Sequence, residues 1–183
     1  MSIIKFIPSC NSTYTVKDNT YTFKNARGKC NGDSDPEYNH NGDKLWDYKE
    51  RNEVKSNLLP EGTYKFTADV NIQAEEFPQA EWYSIFQLHN GVEGSQPPSL
   101  LAVCKKFWHI GPRNTFVVAT DKFSLLAEIS IIENFINVDY YIDNIYLASS
   151  RQYDTNSPFI KFGLYRMNEY CPATQIYENV SVV

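Results

Sequence analysis

Apolar and polar residues alternate along most of this chain. In TYTVKDNTYTFKN (13–25) two alternating runs flank Asp18-Asn19, a pair that tolerates positive φ, so the segment reads as a β-hairpin. From residue 45 such runs follow in quick succession: LWDYKERNEVKS (45–56), GTYKFTADVNIQ (62–73), EWYSIFQLH (81–89), SLLAVCKKFWHI (99–110), NTFVVAT (114–120), FSLLAEISIIE (123–133), INVDYYIDNIYLAS (136–149), FIKFGLYRM (159–167) and QIYENVSVV (175–183). Turn-forming stretches such as LPEG, NGVEGSQPP and GPRN separate them. Many short strands with no convincing long helix predict an all-β sandwich or jelly roll. The weakest element is DKFSLLAEISIIENF (121–135), whose apolar content also suits a helix. ARGKCNGDSDPEYNHNGDK (26–44) reads as a long loop, and its acidic residues lack the ordered ligands and closing Glu of an EF-hand.

Composition strengthens this picture. The 183 residues suffice for one domain with a real core, and 13 Tyr and 11 Phe against 8 Gly favour strands. A formal charge of −5 argues against a dedicated nucleic-acid binder. No stretch approaches the roughly 20 apolar residues of a membrane-spanning helix. The opening MSIIKFIPSCNSTYTV has too short an apolar run for a signal peptide, which leaves the compartment open, extracellular action or association with a larger particle included. Cys10, Cys30, Cys104 and Cys171 are too widely spaced for a structural zinc site, and a Cys10–Cys30 bridge is left open. The glycosylation sequons at Asn11 and Asn179 match a pattern common by chance.

Three strands carry polar stripes. On a strand, Gln87 and His89 share one side with Tyr83 and Ile85, while Phe86 and Leu88 take the other. ERNEVK puts Arg51, Glu53 and Lys55 on one face, with Asn52 and Val54 behind. IKFGLYRM puts Lys161, Gly163, Tyr165 and Met167 together, opposite Phe162, Leu164 and Arg166. Each stripe alone is compatible with an ordinary solvent face.

Taken in order, the stripes resemble motifs of the jelly-roll polysaccharide lyases, the group that includes alginate, glucuronan and heparin lyases. Its alginate lyases carry Arg-x-Glu-x-Arg, then Gln-(Ile/Val)-His, then Tyr-Phe-Lys-x-Gly-x-Tyr-x-Gln. The chain has Arg51-Asn52-Glu53-Val54-Lys55, Gln87-Leu88-His89, and Phe159-Ile160-Lys161-Phe162-Gly163-Leu164-Tyr165-Arg166-Met167. KFGLYR with the terminal QIYENVSVV looks nearer to the glucuronan and heparin lyases. The resemblance is strongest over 45–183 within a single domain, 1–183. Lys55 stands where a second Arg is common, Phe159 for Tyr and Met167 for Gln, departures that bear on alginate specificity more than on the reaction.

The resemblance implies a β-jelly-roll sandwich of two antiparallel sheets with a concave groove for an acidic polysaccharide. The implied reaction is β-elimination on a uronate polymer, with no metal or other cofactor. Its chemistry needs donors that neutralise the sugar carboxylate, a role suited to Arg51 and the Gln87 amide, because that carboxylate otherwise resists loss of the C5 proton. It also needs a base and an acid. His89 and Tyr165 are the candidates; the acid role goes to Tyr165, and the base is left open between the two. Glu53 suits orientation of Arg51 or Lys55, since a carboxylate facing an anionic sugar would repel it. Lys55, Lys161 and Arg113, with Lys105, Lys106 and Arg166, could form a local cationic lining, and Trp82, Trp108 and Tyr83 could stack on sugar rings.

Two other readings stand beside this one. Glu128 to Glu133 (EISIIE) superficially resembles a Glu-x-Asp-x-x-Glu glucanase signature, with Ser130 in place of the central Asp. A carbohydrate-binding or structural module that kept the fold without turnover is the other. The polymer, the endo or exo mode and the oligomeric state are not readable from the sequence.

Overall fold

A computed structural model of the chain describes residues 4–9, 14–24, 49–74, 77, 82–89, 99–111, 113–153, 158–167 and 173–183. The described residues form fourteen strands: β1 (Phe6–Ser9), β2 (Thr15–Lys17), β3 (Thr20–Lys24), β4 (Lys49–Ser56), β5 (Gly62–Ala74), β6 (Trp82–His89), β7 (Ser99–Cys104), β8 (Phe107–Ile110), β9 (Arg113–Val118), β10 (Lys122–Ile132), β11 (Phe135–Ile142), β12 (Ile145–Tyr153), β13 (Phe159–Met167) and β14 (Ala173–Val182). They make two seven-stranded sheets, ordered β1-β4-β13-β6-β7-β8-β9 and β12-β11-β10-β5-β14-β3-β2. The pairing is antiparallel, and the architecture is the expected jelly-roll sandwich. The loop 26–44 and the cysteines at 10, 30 and 171 lie outside the described residues.

Period-two burial explains the sheets. The Asp18-Asn19 turn has φ of 49° and 58°, as a two-residue hairpin of mirror-image type requires. The segment that also suited a helix is β10: Phe123, Leu125, Ala127, Ile129 and Ile131 are buried in alternation, with Ser124, Glu128 and Ser130 on the other face. Alternation outweighs total apolar content there. Two runs read as single strands are hairpins, turning at Lys105-Lys106 (φ 46° and 74°) and at Asp143-Asn144 (φ 51° and 63°). Asp-Asn is a recognisable turn pair, whereas Lys-Lys carries no such signal.

Two tyrosine bridges cross the largely apolar core between the sheets. Tyr140 on β11 meets the Ser99 hydroxyl of β7 at 2.6 Å, and its burial pushes its phenol far above the ordinary range. Tyr177 on β14 donates to the Ile85 carbonyl of β6 at 2.6 Å and accepts from Gln175 Nε2 at 2.7 Å and from the Gly163 backbone N–H. Two of these partners, Ile85 and Gly163, sit at an irregularity in the ladders. Ile85 is one residue extra between the β6–β7 pairs Ser84–Ala102 and Phe86–Leu101. Gly163 and Leu164 together oppose Ile85 between the β13–β6 pairs Phe162–Phe86 and Tyr165–Ser84.

These β-bulges correct the sequence reading of β6. Gln87 and His89 share a face as expected, but Tyr83 and Ile85 are buried in the core with Phe86 and Leu88. Ser84 takes the place beside Gln87, with Nε2 to Oγ at 2.9 Å. An extra residue inverts the side-chain parity of everything before it.

Gly163 makes the second bulge sterically feasible. Its φ is +132°, and a Cβ there would lie 2.5 Å from the Asn52 carbonyl oxygen and 2.8 Å from Glu53 Cα. Gly163→Ala is expected to lower stability by about 2–5 kcal/mol in urea unfolding, combining backbone strain with overpacking. Tyr177→Phe, which strands the groups around the lost hydroxyl, should cost about 1–3 kcal/mol. A change below about 0.5 kcal/mol in either variant, the size of an ordinary surface substitution, would contradict this account of the bulge.

Candidate active site

The ladders place three sequence stripes side by side. Across β4, β13 and β6 the register aligns Arg51, Tyr165 and Ser84 in one row and Lys55, Lys161 and Gln87 in another, with Phe159 opposite His89 at the end of β13. Val54, Phe162 and Leu164 face inward, so the polar stripes lie on the face of this sheet turned away from the core. The side chains of Arg51, Arg166 and Met167 lie outside the described residues.

A buried charged network joins the stripes. Glu53 is only 1% exposed, yet its Oε2 lies 2.9 Å from Lys161 Nζ, itself almost buried. Gln87 Nε2 donates to Glu53 Oε1 at 2.7 Å and to Ser84 Oγ at 2.9 Å. Gln87 Oε1 lies 2.8 Å from His89 Nε2. The imidazole also stacks on Phe159, with centroids 5.1 Å apart and planes within 7°. Lys55 Nζ reaches over the same Phe159 ring at 5.9 Å, at the outer limit of a cation–π contact.

Some expected roles change in this geometry. Glu53 pairs with Lys161, which the sequence offered as a substrate contact, rather than with Lys55. Both amide hydrogens of Gln87 are donated inward, so in this arrangement the side chain does not present a donor to a sugar carboxylate. Arg113 begins β9, the far edge strand, paired with core-facing Ile110 and three strands from β6, a lateral offset of about 14 Å. Trp108 is buried against Phe123, and Tyr83 against Phe77, so neither can stack on a sugar.

Trp82 remains on the outer face, with its ring against His109 at 4.9 Å. Glu128 belongs to the other sheet, tied to Lys65 Nζ at 2.7 Å and to the Tyr141 hydroxyl at 3.4 Å, away from the His89 network. Sequence reasoning missed Ser84, whose face is set by the bulge, and the stacking role of Phe159. Among the described residues no group of three or more His, Cys, Asp or Glu could hold a metal ion, and no helix is long and apolar enough to cross a membrane.

The fold is shared with solved alginate lyases. No protein-family model matches the chain, and no curated protein sequence does. Among solved structures it is similar to the alginate lyase AlgAT5 of polysaccharide lyase family 7, with 13% identity and a TM-score of 0.60 over 94% of this chain and 82% of that one. It is also similar to an alginate lyase from Corynebacterium sp., with 10% identity and a TM-score of 0.57 over 96% and 82%. A sialidase contains a similar unit, with 13% identity and a TM-score of 0.54 over 97% of this chain and 17% of the sialidase. At these identities the likeness is one of fold.

The Glu53–Lys161 pair gives a direct test of the network. Removing one partner of a buried pair leaves an uncompensated charge, at a cost of about 3–5 kcal/mol, whereas replacing both with apolar residues is often nearly neutral. Glu53→Leu should therefore lower stability by about 3–5 kcal/mol, and Glu53→Leu with Lys161→Met should recover most of the loss. Additive losses in the double variant would show that the two side chains are not energetically coupled.

Proposed function

We propose that this chain is a polysaccharide lyase that cleaves a uronate-containing polysaccharide by β-elimination. The observation that carries the reading is the bonded series Glu53, Gln87, His89 on the outer face, set beside the Arg51–Tyr165–Ser84 row of the same sheet. The fold shared with alginate lyases supports it.

In the proposed reaction a base takes the C5 proton, its electron pair becomes the C4–C5 double bond, and the C4–O bond breaks. The leaving oxygen takes a proton from an acid, so no water is consumed. Arg51 and Lys55 neutralise the uronate carboxylate; a fixed donor at developing negative charge contributes about 2.7–4 kcal/mol. His89 is assigned as base because its ring is held on two sides, by Gln87 and by Phe159. Tyr165, in the Ser84 row, is assigned as acid.

A second reading has one observation in its favour. Lys161 is neutralised by Glu53 and Arg113 sits at a distant edge, so the cationic lining near His89 is sparser than the sequence suggested. A binding or structural module on this fold would tolerate that arrangement.

Incubation with alginate, glucuronan, heparin and related uronate polymers should produce the ultraviolet absorbance of an unsaturated uronate. His89→Ala and Tyr165→Phe should each reduce the rate by about 100-fold or more while the variants still fold, with a cooperative thermal transition. No absorbance on any polymer, with binding still measurable, would decide for the non-catalytic module.

A further inference from the structure

We infer that Glu53 and Gln87 form a positioning relay that fixes the proton of His89 on Nε2 and presents Nδ1 as the basic nitrogen. The inference deepens the lyase reading of the same site and rests on that reading only for its kinetic consequence.

The chain of reasoning starts at the buried ion pair. With the Lys161 ammonium 2.9 Å from one oxygen, Glu53 is held as a carboxylate, which accepts hydrogen bonds and donates none. Its other oxygen lies 2.7 Å from the Gln87 amide, so the amide must turn its NH₂ toward Glu53; the flipped orientation would press two acceptors together. The second amide hydrogen goes to Ser84 Oγ, a hydroxyl that accepts it in this orientation. Gln87 therefore offers His89 only its carbonyl oxygen, 2.8 Å from Nε2. That nitrogen must be the donor, and the neutral ring must keep its lone pair on Nδ1. The parallel Phe159 ring restricts rotation of the imidazole, so the direction of that lone pair is fixed as well.

The relay resembles the part an aspartate plays in a serine-protease triad, where a carboxylate holds the histidine tautomer directly. Here an amide stands between carboxylate and imidazole, and Lys161 balances the carboxylate from behind. The acceptor that faces the histidine is an amide oxygen rather than a carboxylate, an arrangement suited to a polyanionic ligand that a bare negative charge would repel.

The tautomer can be read without any polymer, from long-range ¹H–¹⁵N correlations of the full-length protein. The chain has three histidines, and a His89→Ala sample assigns the signals. At a pH where His89 is neutral, Nε2 should show the protonated and Nδ1 the unprotonated ¹⁵N shift, with the other tautomer below about one tenth, the fraction set by a tenfold preference. Gln87→Met leaves the Glu53–Lys161 pair in place and should move both nitrogens toward averaged shifts. Glu53→Gln with Lys161→Met frees the amide to flip and should do the same; if this double variant does not fold, Gln87→Met alone decides.

Where the wild type cleaves a polymer, Gln87→Met should lower kcat by about tenfold or more, shift the limb of its pH profile set by the base, and leave KM within about twofold. A wild-type protein with the proton on Nδ1, or a tautomer ratio unmoved by Gln87→Met, overturns the relay whatever the activity. The expected shifts in a protein that cleaves no polymer would uphold the relay and reject the lyase reading.

Discussion

A carboxylate almost out of contact with water sits at the centre of this molecule's chemistry. Glu53 is tolerated there because Lys161 and Gln87 supply a positive charge and a hydrogen-bond donor from the two strands beyond it. Turning either partner outward would remove a contact that offsets the burial of this charge. The requirement propagates: Gln87 holds Ser84 and His89, and Phe159 meets His89 on its face. Burial of one ionised group thus orders side chains on three strands, and the cost of burying it is offset by several contacts at once.

The backbone beneath these side chains is shaped from the opposite side of the sandwich. Tyr177 reaches across the core and uses its hydroxyl on the backbone groups left out of the ladders at Ile85 and Gly163. An unpaired carbonyl or amide in the apolar interior would cost about 1–3 kcal/mol. A single phenol therefore lets the sheet carry extra residues where regular pairing would fail. Core and outer face are coupled at this point, because the displaced residues determine which side chains of β6 look outward.

Much of this was legible in the sequence, and the failures share a cause. Period-two alternation identified the strand segments, and the three polar stripes lie on adjacent strands. What alternation could not supply was an insertion in the ladder. Ile85 looks like any other strand residue, so Tyr83 was placed outward and Ser84 passed unnoticed. The pairing of Lys161 with Glu53 escapes the sequence reading for a related reason. Charged residues on one strand face suggest solvent or substrate, and only the cross-strand register shows that they neutralise each other. Arg113 is a simpler case, since strand order within a sheet is a three-dimensional fact that no local motif carries.

The paired bulges have an evolutionary consequence. Because β6 carries an extra residue relative to β7, and β13 relative to β6, the spacing from Ser84 to His89 and the spacing from Lys161 to Tyr165 are mutually dependent lengths. A one-residue deletion in either motif would exchange inward and outward side chains along part of its strand, and no neighbouring substitution restores them. A compensating deletion on the partner strand would be needed at the same time. Descendants of this sequence can therefore diverge in many side chains while these two intervals stay constant, which makes the intervals a more durable lineage marker than percentage identity.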